Sequence, residues 1–584
     1  MPLCLGGRAS LVSNLLKAPV SLRPLFSYFP RFVGATMTPN SLQRRAFGTS
    51  ADSRNDLFDY TSGRWVYNEA LRLEERRIAF DVDGLRRLAA ESVNQSLADV
   101  VSLSKLAEGG FNRTFLITLR DGQQIVARIP YPMTVPKYYA VASEVATIEY
   151  LRSSGLPVPR IYGYSPDSDN DARTAYILME FVQGSLLRDV WPALRHQEVI
   201  SVVRQLTQLE SQMMSLSFPA GGSLYFTEDL EKVAMGLGIP LDDERFCVGP
   251  DTSLPLWYGR RAKLDVYRGP YQSAEAVLEA AARKELAYLT QFAQPILPLR
   301  RERRPGYKCQ LQLPSPHVEN LERYLSITSS LVPRDPTLSR FCIRHPDLQP
   351  SNIIVSRSPD SDDCPVVGLL DWQHASILPM FLLAGVPQRL QNYDDHVSQS
   401  MTPPCLPENF DELDENDRAN EEYRYVVRLV HYHYVTSTEE CNQPHHAAFT
   451  DPLYALRGRL FKQAGAPWEG ETVDLKVPLI EATQKWKELT GGSVPCPVEF
   501  EAEAQRETAA LRKELNSLDT GFDILQGMVG LGEDGWVSNE GYEYAVTFLE
   551  NIKKDGLAGA ESAEDREEIM TQWPWDDMDE EKYM

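Results

Sequence analysis

Three things are scarce in this 584-residue chain, and each scarcity removes a class of function. The eight cysteines are scattered without a C-x-x-C pair, so neither a zinc site nor a disulfide framework is expected and a reducing compartment is the default. Long apolar runs are missing as well. The best stretch, Val366 to Pro387, is interrupted by Asp371, Gln373 and His374, short of the roughly 18 uninterrupted apolar residues that read as a membrane helix, so no membrane span is expected. Positive charge is in deficit: the formal net charge is −23 at pH 7, which argues against a nucleic-acid partner, because phosphate backbones repel an acidic surface. His431 with His433, and His445 with His446, have no cysteine or carboxylate at ligand spacing and read as ordinary satisfied side chains.

Acid is absent altogether from residues 1–51, which hold Arg8, Lys17, Arg23, Arg31, Arg44 and Arg45. A leader that is basic, rich in serine and leucine and free of acid has the composition of a mitochondrial transit peptide. Arg44-Arg45-Ala46-Phe47 before Gly48 resembles a matrix-peptidase site, so residues 1–47 are expected to be removed and the mature chain to reside in the mitochondrial matrix. Acidic and aromatic residues appear from Asp52, and residues 48–95 read as an N-terminal extension with two amphipathic helices.

From Val101 the periodicity changes to strands: Val101 to Leu106, Thr114 to Leu119, and Ile125 to Ile129 after an Asp121-Gly122 turn, a strong hairpin signal. Gly109-Gly110 falls between the first two, where backbone N–H groups without side chains in the way can approach phosphate oxygens. Glu144 lies in a helical pattern that ends at Gly155, with Glu149 as the nearby alternative carboxylate. Ala175 to Gly184 reads as a buried strand running out into a glycine.

The segment Cys342 to Trp372 carries the densest chemistry. His345, Asp347 and Asn352 form H-x-D-x-x-x-x-N, and Asn352 opens the β-branched run Ile353-Ile354-Val355. After a polar turn, Val366 to Leu370 ends in Asp371, so the two runs read as a hairpin with Asn352 and Asp371 at the same end. Two oxygen-bearing side chains there, with Asp347 on the preceding loop, suit Mg²⁺, a hard ion that takes oxygen ligands and substrate phosphates. In the phosphoryl-transfer template the loop aspartate takes the acceptor proton, and the asparagine and later aspartate hold metal.

HPDLQPSN followed by GLLDWQ resembles the aminoglycoside phosphotransferase family of kinase-like enzymes, and flanking blocks extend the likeness to a fungal mitochondrial branch. Gln349 stands where many members carry a second histidine. The resemblance implies an α+β, two-lobed protein-kinase-like fold: a small N-lobe over 96–184 with an antiparallel sheet and one helix, and a larger, mostly helical C-lobe over 185–555. It also implies ATP and Mg²⁺ as cofactors and transfer to an unidentified hydroxyl acceptor, small molecule or protein. By the same resemblance Asp347 is the base, His345 orients the loop, and Asn352 and Asp371 hold metal. Gly109 and Gly110 cover the phosphates, Glu144 partners the phosphate-gripping cation, and the backbone around Glu180 and Val182 contacts adenine. The cation departs from the pattern, since Val126-Ala127-Arg128 puts Arg128 where V-A-x-K has lysine, and a planar, forked guanidinium does not replace an ammonium conservatively. That departure motivates a second reading, a nucleotide-binding pseudokinase scaffold, and a third, a structural maintenance factor.

Two further expectations concern the periphery. Arg260, Arg261, Lys263 and Arg268, interleaved with Trp257, Tyr258, Tyr267 and Tyr271, read either as a pocket wall or as a solvated surface anchored by aromatics. Residues 556–584 read as a flexible acidic tail that docks through Trp573 and Trp575.

Overall fold

The computed structural model describes residues 57–357, 363–492 and 494–584; the basic leader lies outside them. The chain enters through strand β1 (Gly63–Trp65) and the helices Glu69–Arg76 and Val82–Glu91. Five antiparallel strands follow: β2 (Val100–Glu108), β3 (Asn112–Leu119), β4 (Gln124–Pro130), β5 (Ile161–Ser165) and β6 (Tyr176–Glu180), in spatial order β2-β3-β4-β6-β5. The helix Lys137–Ser153 connects β4 to β5.

Side-chain alternation assigns the two faces of this sheet. Phe115, Ile117, Leu119, Ile125, Ala127 and Ile129 are buried with Ile78, Phe80 and Leu85 of the N-terminal extension. One residue out of phase, Val126 packs instead with Val141 and Val145 of the Lys137–Ser153 helix. Because strand side chains alternate with period two, Arg128 shares the helix-side face with Val126. The extension is thus the second layer of the N-lobe, and at roughly 1.5–3 kcal/mol for each large aliphatic or aromatic side chain withdrawn from water it stabilises the sheet that carries the site.

The C-lobe is mostly helical, with long helices at His196–Ser215, Ala274–Phe292, Ser315–Leu331, Glu415–Cys441 and Ala502–Val529. Short strands are set among them: β7 (Ser185–Leu186), β8 (Ser223–Phe226), β9 (Ile239–Pro240), β10 (Phe246–Gly249), β11 (Phe341–Ile343), β12 (Ile353–Val355), β13 (Val366–Leu369), β14 (Ile377–Pro379) and β15 (Trp536–Ser538). They form small sheets β13-β12-β7, β8-β10-β9, β11-β14 and β1-β15. The fold is therefore the two-lobed, kinase-like α+β arrangement. The β8-β10-β9 sheet lies in a region whose pattern suggests helix, and strands of two to four residues are too short for a period of two to declare itself.

The aromatic-basic cluster is divided: Arg260, Lys263 and Tyr267 are exposed, in keeping with a solvated surface, whereas Arg261 and Tyr271 turn inward. Arg261 is fully buried, bonded through Nε and Nη2 to Glu285 at 2.8 and 2.5 Å, with its guanidinium 3.6 Å from the Tyr288 ring centroid. Lys284 adds a bond to Glu285 at 2.8 Å. Burial works against the Glu285 charge, yet the two cations overcome it and hold the carboxyl down at about 2. Arg268 stacks 4.1 Å from the Trp257 ring and donates to the Arg261 carbonyl at 2.6 Å.

The acidic C-terminal segment is folded rather than a loose tail, and it docks through Trp573 and Trp575 as its sequence suggests. Helix Ala563–Gln572 folds back, Trp573 and Trp575 are buried with Leu515, Leu518 and Ile569, and Arg301 Nη1 donates to the Trp573 carbonyl at 2.6 Å. Glu580 receives Arg72 at 2.5 Å and Asn68 at 2.6 Å. The residues between Trp575 and Tyr583 thereby tie the N-terminal extension to the C-lobe. Composition suggested disorder because it counts charge; several of these acids face arginines and asparagine across the fold.

Candidate active site

The placement of Asn352 and Asp371 follows from one antiparallel pairing. Ile353 of β12 stands opposite Leu369 of β13, so Asn352, just before β12, and Asp371, two residues past Leu369, share one end of the ladder. Leu370 N–H donates to the Asn352 carbonyl at 2.8 Å. Asp371 then adopts φ = 67°, a left-handed conformation that aspartate tolerates better than most residues. Such an outlier beside polar groups is the kind of local strain that collects at functional sites.

His345 holds the loop against this strand end. Its Nδ1 accepts from Asp347 N–H at 3.1 Å and its Nε2 lies 2.8 Å from the Leu370 carbonyl, a pairing that requires the neutral ring with its proton on Nε2. Burial lowers the His345 pKa and keeps that form. The ring sits 4.5 Å from Trp372. Asn352 Nδ2 donates to the Asp347 carbonyl at 2.9 Å and to its Oδ2 at 3.2 Å, and Gln349 Nε2 also donates to Oδ2. Asp347 is exposed and oriented from both sides.

Arg128 connects the lobes. Nη1 pairs with Glu144, whose side chain is only 3% exposed; Nη2 reaches Asp371 Oδ1 at 2.5 Å and Gln373 Oε1 at 3.3 Å. The Asn112 carboxamide lies within 3.0 Å of Arg128 Nε and 2.6 Å of Nη2, and its oxygen accepts from them. Burial pushes Glu144 up to about 7 against the pull of Arg128. At Asp371 burial acts the same way, but Arg128 outweighs it and holds the carboxyl below its ordinary value. With 46% of its side chain open to solvent, Asp371 is the firmer anion near neutrality. Glu149, the alternative partner, instead accepts from Ile161 N–H at 3.3 Å.

Gly109 and Gly110 cap the β2–β3 turn. A Cβ on Gly110 would meet nothing within 4 Å, and one on Gly109 only the Asn112 carbonyl at 3.6 Å, so the loop is open above. The next residue, Phe111, meets His374 edge-on at 5.5 Å. Glu180 ends β6, with its N–H bonded to the Arg160 carbonyl at 2.8 Å. Phe181 to Gln183 leave the ladder, and Val182 packs over Gly368 of β13. Their peptide groups are therefore not used in sheet pairing.

These residues fit Mg²⁺ and a nucleoside triphosphate. Asn352 uses its amide nitrogen on Asp347, and Asp371 uses Oδ1 on Arg128; the oxygens Asn352 Oδ1 and Asp371 Oδ2 have no hydrogen-bond partner among the described residues. Two hard oxygens suit an ion that completes its shell with water and phosphate. No group of three or more histidine, cysteine or acidic side chains able to hold a metal occurs among the described residues, and neither histidine pair forms one.

Three contributors escape motif reading. Asn112, on the strand beside Arg128, and Gln373 orient Arg128, yet Gln373 lies 245 positions from Arg128 in the chain. Arg344, beside His345, is held by Glu210 at 2.6 Å, the Leu383 and Gly385 carbonyls at 2.7 Å and the Tyr434 hydroxyl at 3.0 Å, which anchors the loop from His345 to Asn352 to the C-lobe. Its position next to the H-x-D motif was the one available signal.

Residues 102–381 match the model of the phosphotransferase enzyme family. A subtelomeric hrmA-associated cluster protein of Aspergillus fumigatus is 29% identical over 516 residues, covering 82% of this chain and 97% of that protein. Altered inheritance of mitochondria protein 9 of Yarrowia lipolytica is 24% identical over 536 residues, 85% of this chain and 87% of that one. Among solved structures, the streptomycin-ATP-APH(2″)-IIa ternary complex aligns with TM-score 0.33 and 12% identity over 71% of this chain and 99% of that one.

Proposed function

Residues 102–381 belong to the phosphotransferase enzyme family, and from that premise we propose that this protein transfers a phosphoryl group from ATP to a hydroxyl acceptor. The observation that carries the reading is the convergence of Asp347, Asn352 and Asp371 at one strand end with Arg128 reaching the same carboxylate from the other lobe. Asn352 and Asp371 would hold Mg²⁺, the backbone at Gly109 and Gly110 would cover the phosphates, and the peptides from Glu180 to Val182 would meet adenine. Bound ATP·Mg²⁺ supplies the phosphoryl group and the countercharge and leaves as ADP. Asp347, exposed and oriented by Asn352 and Gln349, takes the proton released as the acceptor oxygen bonds to phosphorus. His345 is a positioning residue that fixes the loop through the Leu370 carbonyl.

A ligand that binds only the folded state raises its melting temperature by mass action. An ATP analogue with Mg²⁺ should therefore raise Tm in the wild type, and Asp371→Ala should lose the Mg²⁺-dependent part. No shift with nucleotide or metal would leave the structural-factor reading in its place. One observation favours the scaffold reading: Arg128 is already paired with Glu144 and Asp371. Nucleotide binding without phosphoryl transfer to any acceptor or to water would establish it. The name of the Yarrowia lipolytica relative and the acid-free leader support a mitochondrial, matrix location; a reporter carrying residues 1–55 that stays in the cytosol would exclude it.

A further inference from the structure

Two adjoining cavities lie at the loop that carries Asp347. The inner one, about 430 Å³, is lined by the loop from Arg344 to Gln349 and by Val386 to Arg389. The outer one, about 440 Å³, shares Gln349 and Arg389 with it and adds Arg188, Trp191, Leu390 and Val430. Asp347 is the only acidic side chain in either lining, although the chain as a whole carries −23. The charge of the linings is thus opposite to that of the molecule as a whole.

The three arginines are not equivalent. Arg344 is consumed by Glu210, two carbonyls and Tyr434. Arg188 has only its neighbour Asp189, at 3.2 Å with both side chains more than half exposed, a weak surface pair. Arg389 is exposed and forms no ion pair or hydrogen bond among the described residues. Trp191, Leu390 and Val430 line the same cavity as Arg188 and Arg389 and give it an apolar wall. Gln349 and Arg389 line both cavities, and Gln349 donates to the Asp347 carboxylate, so a molecule lying in the cleft reaches the proposed base and the exposed guanidinium groups of Arg389 and Arg188.

We propose that this cleft is the acceptor site and that it selects an anion: a hydroxyl compound with an apolar, preferably planar body and a carboxylate or phosphate that meets Arg389 and Arg188. Guanidinium groups recognise both oxyanions through forked, charge-assisted hydrogen bonds, and a polycationic acceptor is repelled by the same pair. The substrate class rests on the phosphotransferase reading, but the charge preference of the cleft does not depend on nucleotide.

The test uses four probes of one shape: 4-(hydroxymethyl)benzoate, 4-(hydroxymethyl)phenylphosphonate, 4-(hydroxymethyl)benzylamine and neutral 4-methylbenzyl alcohol. Binding to the full chain is measured by ligand-observed NMR and calorimetry without nucleotide. At least one anionic probe should bind about tenfold or more tighter than the amine, and the benzoate and phosphonate arms separate carboxylate from phosphate recognition. Arg389→Glu, alone and with Arg188→Glu, should abolish or invert the preference; both side chains are exposed, and unchanged circular dichroism and Tm check folding. Equal or tighter binding of the amine, a preference that survives both charge reversals, or no binding by any probe would overturn the proposal. The melting shift with ATP analogue and Mg²⁺ is read in parallel. Its loss with the anion preference intact defeats only the phosphotransferase reading, and the converse defeats only this one.

Discussion

Replacing Arg128 with alanine isolates the contact on which the two lobes converge. Glu144 is 3% exposed and Arg128 11%, so the variant leaves a buried carboxyl without its cation, a defect that typically costs about 3–5 kcal/mol when the carboxyl stays charged. Glu144 can escape by keeping its proton, which gives the defect a pH signature. In the wild type burial has already moved Glu144 from its ordinary value of 4.5 to about 7. A carboxyl raised on folding removes stability as pH climbs from the unfolded value to the folded one and nothing more above it. Without Arg128 the folded value rises beyond 7, so the variant goes on losing stability where the wild type has levelled off. The extra loss is up to about 1.4 kcal/mol for each pH unit, roughly 2.7 kcal/mol between pH 7 and pH 9. Urea unfolding at pH 6, 7, 8 and 9 should therefore show a small deficit at pH 6 that grows toward 3–5 kcal/mol at pH 9. Glu144→Gln in the same background should flatten that dependence, with the double-mutant cycle giving the coupling. A deficit that is the same at every pH, or below about 1 kcal/mol at pH 9, would refute the claim that this buried pair joins sheet to helix.

Asp347→Ala should leave affinity for an ATP analogue nearly unchanged and remove turnover, because its proposed work is on the acceptor proton; calorimetry and a mass-based transfer assay separate the two. Arg128→Ala should instead weaken ATP-analogue binding by about 1.5–3 kcal/mol, the loss of a charge-assisted contact. Trp575 stacks on Phe522 at 5.0 Å in the buried cluster under the C-terminal segment, so Trp575→Ala should cost about 3–5 kcal/mol and speed proteolysis after residue 560. A cost near zero would mean the segment is not packed in solution.

Much of the site could be read from the chain because its parts are local. Asn352 and Asp371 bracket a single hairpin, so the turn between two β-branched runs suffices to bring them to one end, and His345 and Asp347 lie a few residues before it. Arg128 was legible as a position, since the alternation in β4 gives it the face opposite Ala127 and Ile129, but its partners were not. Asp371 and Gln373 come from the other lobe, and no period or spacing relates residues 128 and 371. The C-terminal segment failed for the opposite reason: its charge count is that of a disordered tail, and only folding brings Arg72, Asn68 and Arg301 to it from more than two hundred residues away. Sequence by itself therefore determined the elements, their faces and the short-range geometry of the loop that carries His345, Asp347 and Asn352, because those depend on side-chain period and turn chemistry within some thirty residues. Tertiary structure alone decided which buried charges pair across the lobes and that Arg344 is held by Glu210 while Arg389 faces the cleft, because both depend on where distant segments come to rest.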